Sequence, residues 1–384
     1  MKITDDIFYI GVDDLDIDLF EGQFKVPQGM AYNSYLIKGD KIAVMDTVDA
    51  RKADEWLEKI SANTDRVDYL VVQHMESDHS ACIDLFARAY PDAKIVSSAP
   101  SFAMMKNFFD NDYASRRVVV KEGDALDLGG HVLNFVAAPM VHWPEVIVTY
   151  DSSTKTLFSA DGFGRFGPFK PDDEWDCEAR RYYFGIVGKF GDHVQALLKK
   201  ASSLEIARIL PLHGPVHDTL EMVNHVISKY SIWSSYAVES PGVMIAYTSV
   251  YGHTAKAVEK LANILKEKGC PKVVVNDLAR VDMHEAIEDA FRYGKLILAT
   301  TTYNMGVFPF MREFINHLTS RAYKRRKIAL IENGSWAPLA AKCMRAMFEG
   351  AQELEFVPEV VTIKGEAKET EFQALERLAN EILK

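Results

Sequence analysis

Val71-Val72-Gln73-His74-Met75-Glu76-Ser77-Asp78-His79 closes an apolar run that begins at Val67, and it sets four residues able to bind a metal within six positions. The run Val67 to Val72 reads as a buried strand, His74 falls where a strand hands over to a loop, and Ser80 to Ala89 reads as a helix. Loops at strand ends are where a rigid scaffold presents its working residues. Imidazoles and carboxylates this crowded are held together most simply by a cation, or by two. Any one of them alone would read as an ordinary loop residue. Three later stretches repeat the pattern, each placing one ligand-type residue after an apolar run: Ala138-Pro139-Met140-Val141-His142, Leu157-Phe158-Ser159-Ala160-Asp161 and Ile209-Leu210-Pro211-Leu212-His213.

With 384 residues the chain is long enough for two independently stable domains, and 48% hydrophobic with 26% charged residues is the composition of a soluble globular protein. The expected division is 1–240 and 241–384. No stretch has the apolar length to span a bilayer, and Met1-Lys2-Ile3-Thr4-Asp5-Asp6 lacks the layout of a signal peptide, so a cytoplasmic protein with no membrane partner is expected. A net charge of −11 argues against nucleic acid as a partner. Cys82, Cys177, Cys270 and Cys343 are scattered without a C-x-x-C pair and signal neither a disulfide framework nor a cysteine-bound metal.

Along the first half, Tyr32 to Ile37 and Lys41 to Asp46 read as a hairpin and Ala50 to Ser61 as a helix. Further strands are expected at Lys94 to Ser98, Arg117 to Lys121, His131 to Ala137, Val146 to Tyr150 and Thr156 to Ser159. Gly162 to Asp173 reads as an irregular loop. Two helical stretches follow, then a strand ending at His213 and a helix from Asp218 to Tyr236. This mixture of hairpins and helix-linked strands suggests sheets packed between helices. Ala237-Val238-Glu239-Ser240-Pro241-Gly242 marks the boundary. Beyond it, strands at Val243 to Tyr247, Val273 to Asn276, Leu296 to Thr300, Ile328 to Glu332 and Glu359 to Ile363 alternate with amphipathic helices, the pattern of a doubly wound parallel sheet.

Ligands of such sheets bind at the carboxyl ends of the strands. After the first strand of the second half stands Thr248-Ser249-Val250-Tyr251-Gly252-His253-Thr254, whose hydroxyls, backbone N–H groups and following helix N-terminus suit a phosphate. Hydroxyl caps on a plain helix are the competing reading. The third strand runs out through Thr300 into Thr301-Thr302-Tyr303-Asn304-Met305-Gly306 and the fourth into Asn333-Gly334-Ser335-Trp336-Ala337. An aromatic with backbone donors on each suits a flat, polar-edged ring such as a flavin.

These three loops in this order resemble the flavodoxin family over nearly all of residues 242–384, which implies FMN held by the loops just named. In the first half, H-x-E-x-D-H followed by lone His, Asp and His resembles the metallo-β-lactamase fold, an αββα sandwich. Hydrolases of that fold generally carry H-x-H-x-D-H and zinc. Glu76 stands in place of the second histidine and shifts preference toward iron, with zinc and manganese still open on ligand type.

A β-lactamase-like domain with that glutamate, followed by a flavodoxin-like five-stranded parallel sheet, resembles the flavodiiron proteins across essentially the whole chain. Asn33-Ser34-Tyr35-Leu36, His142-Trp143-Pro144 and Tyr230-Ser231-Ile232-Trp233-Ser234 belong to the likeness. The resemblance implies that His74, Glu76 and His142 bind one iron, that Asp78, His79 and His213 bind the other, and that Asp161 bridges them. It implies reduction of dioxygen to water, nitric oxide to nitrous oxide, or both, with FMN feeding the irons across a head-to-tail homodimer or a dimer of dimers. Gly162-Phe163-Gly164-Arg165-Phe166 departs from the family, which often has a polar residue and a histidine there, and Thr300-Thr301 stands where Ser-Pro is common. Without C-x-x-C pairs after residue 384, electrons are expected from a separate donor such as rubredoxin or a reduced deazaflavin coenzyme.

Two other classes compete: a zinc hydrolase of the β-lactamase fold with a flavodoxin-like accessory domain, and an electron-transfer flavoprotein whose first domain only binds a partner. His217, His225, His253, His284 and His317 read as surface or helix-capping residues. Arg321, Lys324, Arg325, Arg326 and Lys327 read as a solvated face, with docking of an acidic electron carrier as the alternative.

Overall fold

A computed structural model describes residues 1–168 and 174–384, so the end of the irregular loop expected at Gly162 to Asp173 lies outside the described residues. The chain forms two compact units, Met1–Ser231 and Ile232–Lys384.

In the first unit the central apolar run forms the strand Tyr69–Val71. Its side chains alternate between two buried faces. Leu70 packs with Leu36, Val44 and Ile95 against Trp56, Ile60, Phe86 and Phe102 of the flanking helices. Tyr69 and Val71 point the other way, with Tyr35, Ile37, Met45 and Val96, into a second core. A strand buried on both faces reads as a continuous apolar run. Removing a side chain such as Leu70 would cost about 2–5 kcal/mol.

The sheet runs in the order Ile7–Tyr9, Tyr35–Lys38, Ile42–Met45, Tyr69–Val71, Lys94–Ser97, Arg117–Val119. The expected hairpin is its antiparallel pair Tyr35–Lys38 with Ile42–Met45. The later strands are parallel. A second sheet, Ala125–Asp127, Val132–Ala137, Ile147–Asp151, Thr156–Phe158, Arg208–Leu210, supplies Leu133, Phe135, Ile147, Phe158 and Leu210 to the core between the sheets. This is the expected αββα sandwich.

Several local expectations change. The helix placed at Ser80 to Ala89 begins earlier and is broken, as Ser77–Ser80 and Ile83–Ala89, so Asp78 and His79 stand on a helical turn rather than a loop. The strand expected to reach His213 ends at Leu210. His217 is fully buried on a bridge to Ile209, not a surface or capping residue.

In the second unit five parallel strands run in the order Val273–Asp277, Ser240–Tyr247, Tyr293–Tyr303, Arg326–Asn333, Leu354–Ile363. In chain order this is 2-1-3-4-5, the flavodoxin arrangement. Ser240-Pro241-Gly242, read as a boundary segment, already belongs to the first of these strands. Val243, Ile245, Ile297, Ala299, Ala329 and Ile331 pack on one face with Val258 and Leu261 of the helix His253–Glu267 and Leu375 and Leu378 of the helix Glu369–Leu383.

The basic cluster is not one solvated face. Arg326 is 2% exposed, and its guanidinium donates to the carbonyl oxygens of Tyr236, Ala237, Lys324, Arg325 and Phe291. Arg325 pairs with Glu353 at 2.9 Å and Lys327 with Glu355 at 3.1 Å. Among the described residues, no helix is long and apolar enough to cross a membrane.

Candidate functional site

The four residues of the central stretch meet the three lone residues in one buried cluster, in two groups: His74, Glu76, His142 and Asp161, and Asp78, His79 and His213. Each group is fixed by the backbone that carries it. Past Val71, Gln73 gives its backbone N–H and its side-chain amide to the two oxygens of Asp46, at 2.7 and 2.9 Å, which sets the start of the loop bearing His74. The His79 carbonyl accepts from the Thr47 backbone and hydroxyl, at 2.9 and 2.7 Å. Asn33 donates to the carbonyls of Pro211 and Gly214, and the Tyr35 hydroxyl also donates to Pro211, so the Asn33-Ser34-Tyr35 segment braces the loop that ends in His213.

Asp161 stands between the groups. Its Oδ2 lies 3.0 Å from His142 Nε2 and 3.6 Å from His74 Nε2. Its Oδ1 lies 3.1 Å from His79 Nε2 and 3.7 Å from His213 Nε2. Glu76 is 3.0 Å from His142 Nε2 and 3.3 Å from His74 Nε2. Asp78 is 3.4 Å from His79 Nε2 and 3.3 Å from His213 Nε2. A cation about 2.1 Å from each donor would put neighbouring donors roughly 3.0–3.4 Å apart, close to these separations. Among the described residues, Asp161 Oδ1 and both oxygens of Asp78 are buried and accept no hydrogen bond from the protein. Buried carboxylate oxygens without partners are costly unless a cation satisfies them. Neither group includes a thiolate, and a mixed nitrogen and oxygen donor set suits iron.

The electrostatics agree. Burial alone would depress the histidines, yet Asp161, Glu145 and Glu76 hold His74 well above the ordinary imidazole range. His142, likewise opposed by burial, is pushed up to about 9 by Asp161 and Glu76. Asp161 is depressed well below the ordinary carboxylate range: burial would raise it, but His79, His142 and His74 outweigh it.

Aromatic rings close the cluster on several sides. Trp143 stands edge-on to His74 with centroids 5.2 Å apart, and Phe20 and Tyr182 lie 5.4 and 5.5 Å from the His213 ring. A cavity of about 310 Å³, lined by Phe20, Glu21, Tyr32 and Trp143 among others, reaches Glu76 and Asp78. That space admits small molecules.

Local sequence did not single out three contributors. Glu145, 1% exposed, takes His74 Nδ1–H at 2.8 Å. The Ala31 carbonyl takes His213 Nδ1–H at 2.8 Å. Among the described residues, the buried Tyr182 hydroxyl has no hydrogen-bond partner. Only Glu145 left a signal, as an acid inside the apolar stretch Val141 to Val148.

In the second unit the three segments lie at the carboxyl ends of the first, third and fourth strands in chain order; Thr301 to Tyr303, expected in a loop, still belong to the third strand, which turns back to pair with Gly306–Val307. Ser249 Oγ accepts from the backbone N–H of Gly252 and Ala255, at 3.1 and 3.3 Å. Gly252, at φ +90, turns the chain into the helix that starts at His253, a conformation that favours glycine. The Thr248 hydroxyl is paired with Thr300 at 2.6 Å, and Thr254 accepts from Asn333. The Thr302 hydroxyl accepts from the N–H of Leu339 and Ala340, and among the described residues the buried Thr301 hydroxyl has no hydrogen-bond partner. Asn333 also bonds Gly365 in both directions. On the same loops Tyr251, Tyr303, Met305 and Trp336 stand exposed, Trp336 at 74%. Exposed aromatic faces beside a hydroxyl-rich helix start fit a planar ring with a phosphate tail.

Both halves of the chain have relatives among known proteins. Residues 30–214 match the family described as ODP family beta lactamase, and residues 244–379 match Flavodoxin domain. A nitric oxide reductase of Moorella thermoacetica is 28% identical over 94% of this chain and 92% of its own length. A putative diflavin flavoprotein of Nostoc sp. is 29% identical over 97% of this chain, which spans 65% of that longer protein. The rubredoxin oxygen:oxidoreductase of Desulfovibrio gigas shares the fold with a TM-score of 0.93 at 24% identity, over 100% of this chain and 97% of that one. The protein is thus of the class that joins a β-lactamase-like domain to a flavodoxin domain. It belongs to the flavodiiron protein family.

Proposed function

We propose that this protein is an oxidoreductase that reduces dioxygen to water, nitric oxide to nitrous oxide, or both, at two irons supplied with electrons by FMN. The observation that carries the reading is Asp161, whose two oxygens face the two donor groups separately. His74, Glu76 and His142 hold one iron, Asp78, His79 and His213 hold the other, and Asp161 bridges them. When bound, two irons and a flavin supply paired electrons to a small molecule. The protein holds two of the four imidazoles in one orientation, through Glu145 on His74 and the Ala31 carbonyl on His213, and packs Trp143, Phe20 and Tyr182 against the cluster.

The irons bind within the domain of residues 1–240, and the flavin binds within that of residues 241–384, on the loops 248–254, 301–306 and 333–337. A head-to-tail homodimer, or a dimer of dimers, brings the two cofactors together, and the electron donor is a rubredoxin or a reduced deazaflavin coenzyme in the cytoplasm. Relatives named nitric oxide reductase and rubredoxin oxygen:oxidoreductase support both gases as substrates. A zinc hydrolase is less well supported, because Glu76 replaces the imidazole that such hydrolases generally carry.

The test is metal and flavin content of anaerobically purified protein, with gas consumption by the chemically reduced form. Two irons and one FMN per chain with consumption of either gas are expected. Zinc after growth with ample iron, and no gas consumption, would overturn the reading.

A further inference from the structure

We propose that Glu145 is a positioning residue that makes the two cation sites unequal, strengthening the site of His74, Glu76 and His142 over that of Asp78, His79 and His213. The inference rests on the ligand assignment above.

The two sites are matched in what they offer a metal: each has two imidazoles, one carboxylate and one oxygen of Asp161. What differs stands behind the imidazoles. His74 Nδ1 donates to Glu145 Oε1 at 2.8 Å, and both side chains are 0% exposed. The same oxygen accepts the Met75 N–H at 2.9 Å, which anchors the carboxylate, and the main-chain carbonyl of Glu145 takes the Ser98 hydroxyl at 2.9 Å, which anchors its backbone. Glu145 is also three residues beyond His142, and therefore ties both imidazoles of one site to a single short segment.

Among the described residues, no carboxylate accepts from the outer nitrogen of either imidazole of the other site. His213 Nδ1 donates to the neutral Ala31 carbonyl, and among the described residues His79 Nδ1 is buried without a hydrogen-bond partner. Asp46 is a further buried carboxylate near the cluster, but its oxygens take the N–H groups of Gln73 and accept from neither ring. An imidazole hydrogen-bonded to a carboxylate is a more basic ligand than one bonded to a carbonyl, and low local polarity enlarges the difference.

Glu145→Gln keeps the shape and an acceptor oxygen but removes the charge. The full-length, iron-loaded protein is to be set in graded competition with a chromogenic ferrous chelator, anaerobically and under reducing conditions, and read as irons removed per chain. The wild type should release its irons in two separate steps. In Glu145→Gln the tighter step should weaken on the order of 10–100-fold while the weaker step and the melting temperature of the metal-free protein stay put. Both steps unchanged would show that Glu145 only braces the ring. Both steps weakened equally would show a general structural role, and either result overturns the inference. A wild type that never holds two irons would instead overturn the ligand assignment itself.

Discussion

The Nε2 atoms of His79 and His213 face each other at 3.0 Å, with ring centroids 4.6 Å apart and both side chains buried. Without a metal, one neutral ring can donate its Nε2–H to the lone pair of the other; a cation placed between or beside them would instead take a lone pair from each ring. Asp78 and Asp161 Oδ1 close the same space. The fold holds this geometry through backbone far from either histidine, which is how a metal site is prepared before the metal arrives.

Metal should therefore stabilise the first unit. Free cation at about 100 times its dissociation constant should add roughly 2.7 kcal/mol to unfolding, and chelation should remove it. Melting in ferrous iron against chelator, followed by near-ultraviolet circular dichroism, checks this. An unchanged transition would count against a preformed site.

His217 gives a pH dependence separate from the metal. Burial pushes its pKa down to about 4 from 6.5, with the Phe163 carbonyl accepting from Nε2 at 3.0 Å as a smaller opposing effect. The folded state resists protonation that the unfolded chain accepts. The neutral ring therefore carries no penalty above pH 6.5, and stability falls as pH drops from 6.5 toward 4, by roughly 3 kcal/mol in all. His217→Gln should flatten that portion of a urea-unfolding series. An equal slope in the variant would assign the loss to other groups.

Trp336 tests the flavin half. Its ring is 74% exposed and packs on little protein, so truncation should leave folding intact. Trp336→Ala should weaken FMN binding about tenfold, about 1.4 kcal/mol, through lost ring stacking. Fluorescence titration of flavin into the stripped protein measures it, and unchanged affinity would place the flavin ring elsewhere.

Much of this was legible in sequence because His74 and Asp161 follow short strands buried on both faces, which read as largely apolar runs. These are Tyr69–Val71 before His74 and Thr156–Phe158 before Asp161. The alternation of strands and amphipathic helices after residue 240 announced the second sheet for the same reason. Tertiary contacts decided the rest. The Ala31 carbonyl meets His213 from 182 residues away, and nothing in Met30-Ala31-Tyr32 signals it. Arg326 reads as one more charge in a basic cluster, yet backbone carbonyls from three separate stretches bury it. The short strands Val12–Asp14, Leu19–Phe20 and Phe24–Lys25 leave too little periodicity to be seen.

The most direct test of the central claim, that one carboxylate joins two metals, is the iron content and gas-reducing rate of Asp161→Ala beside the wild type. Fewer than two irons per chain is expected, with a rate below about one hundredth of wild type, since even changes behind a ligand typically cost roughly 10–100-fold. Two irons retained with an undiminished rate would contradict the account.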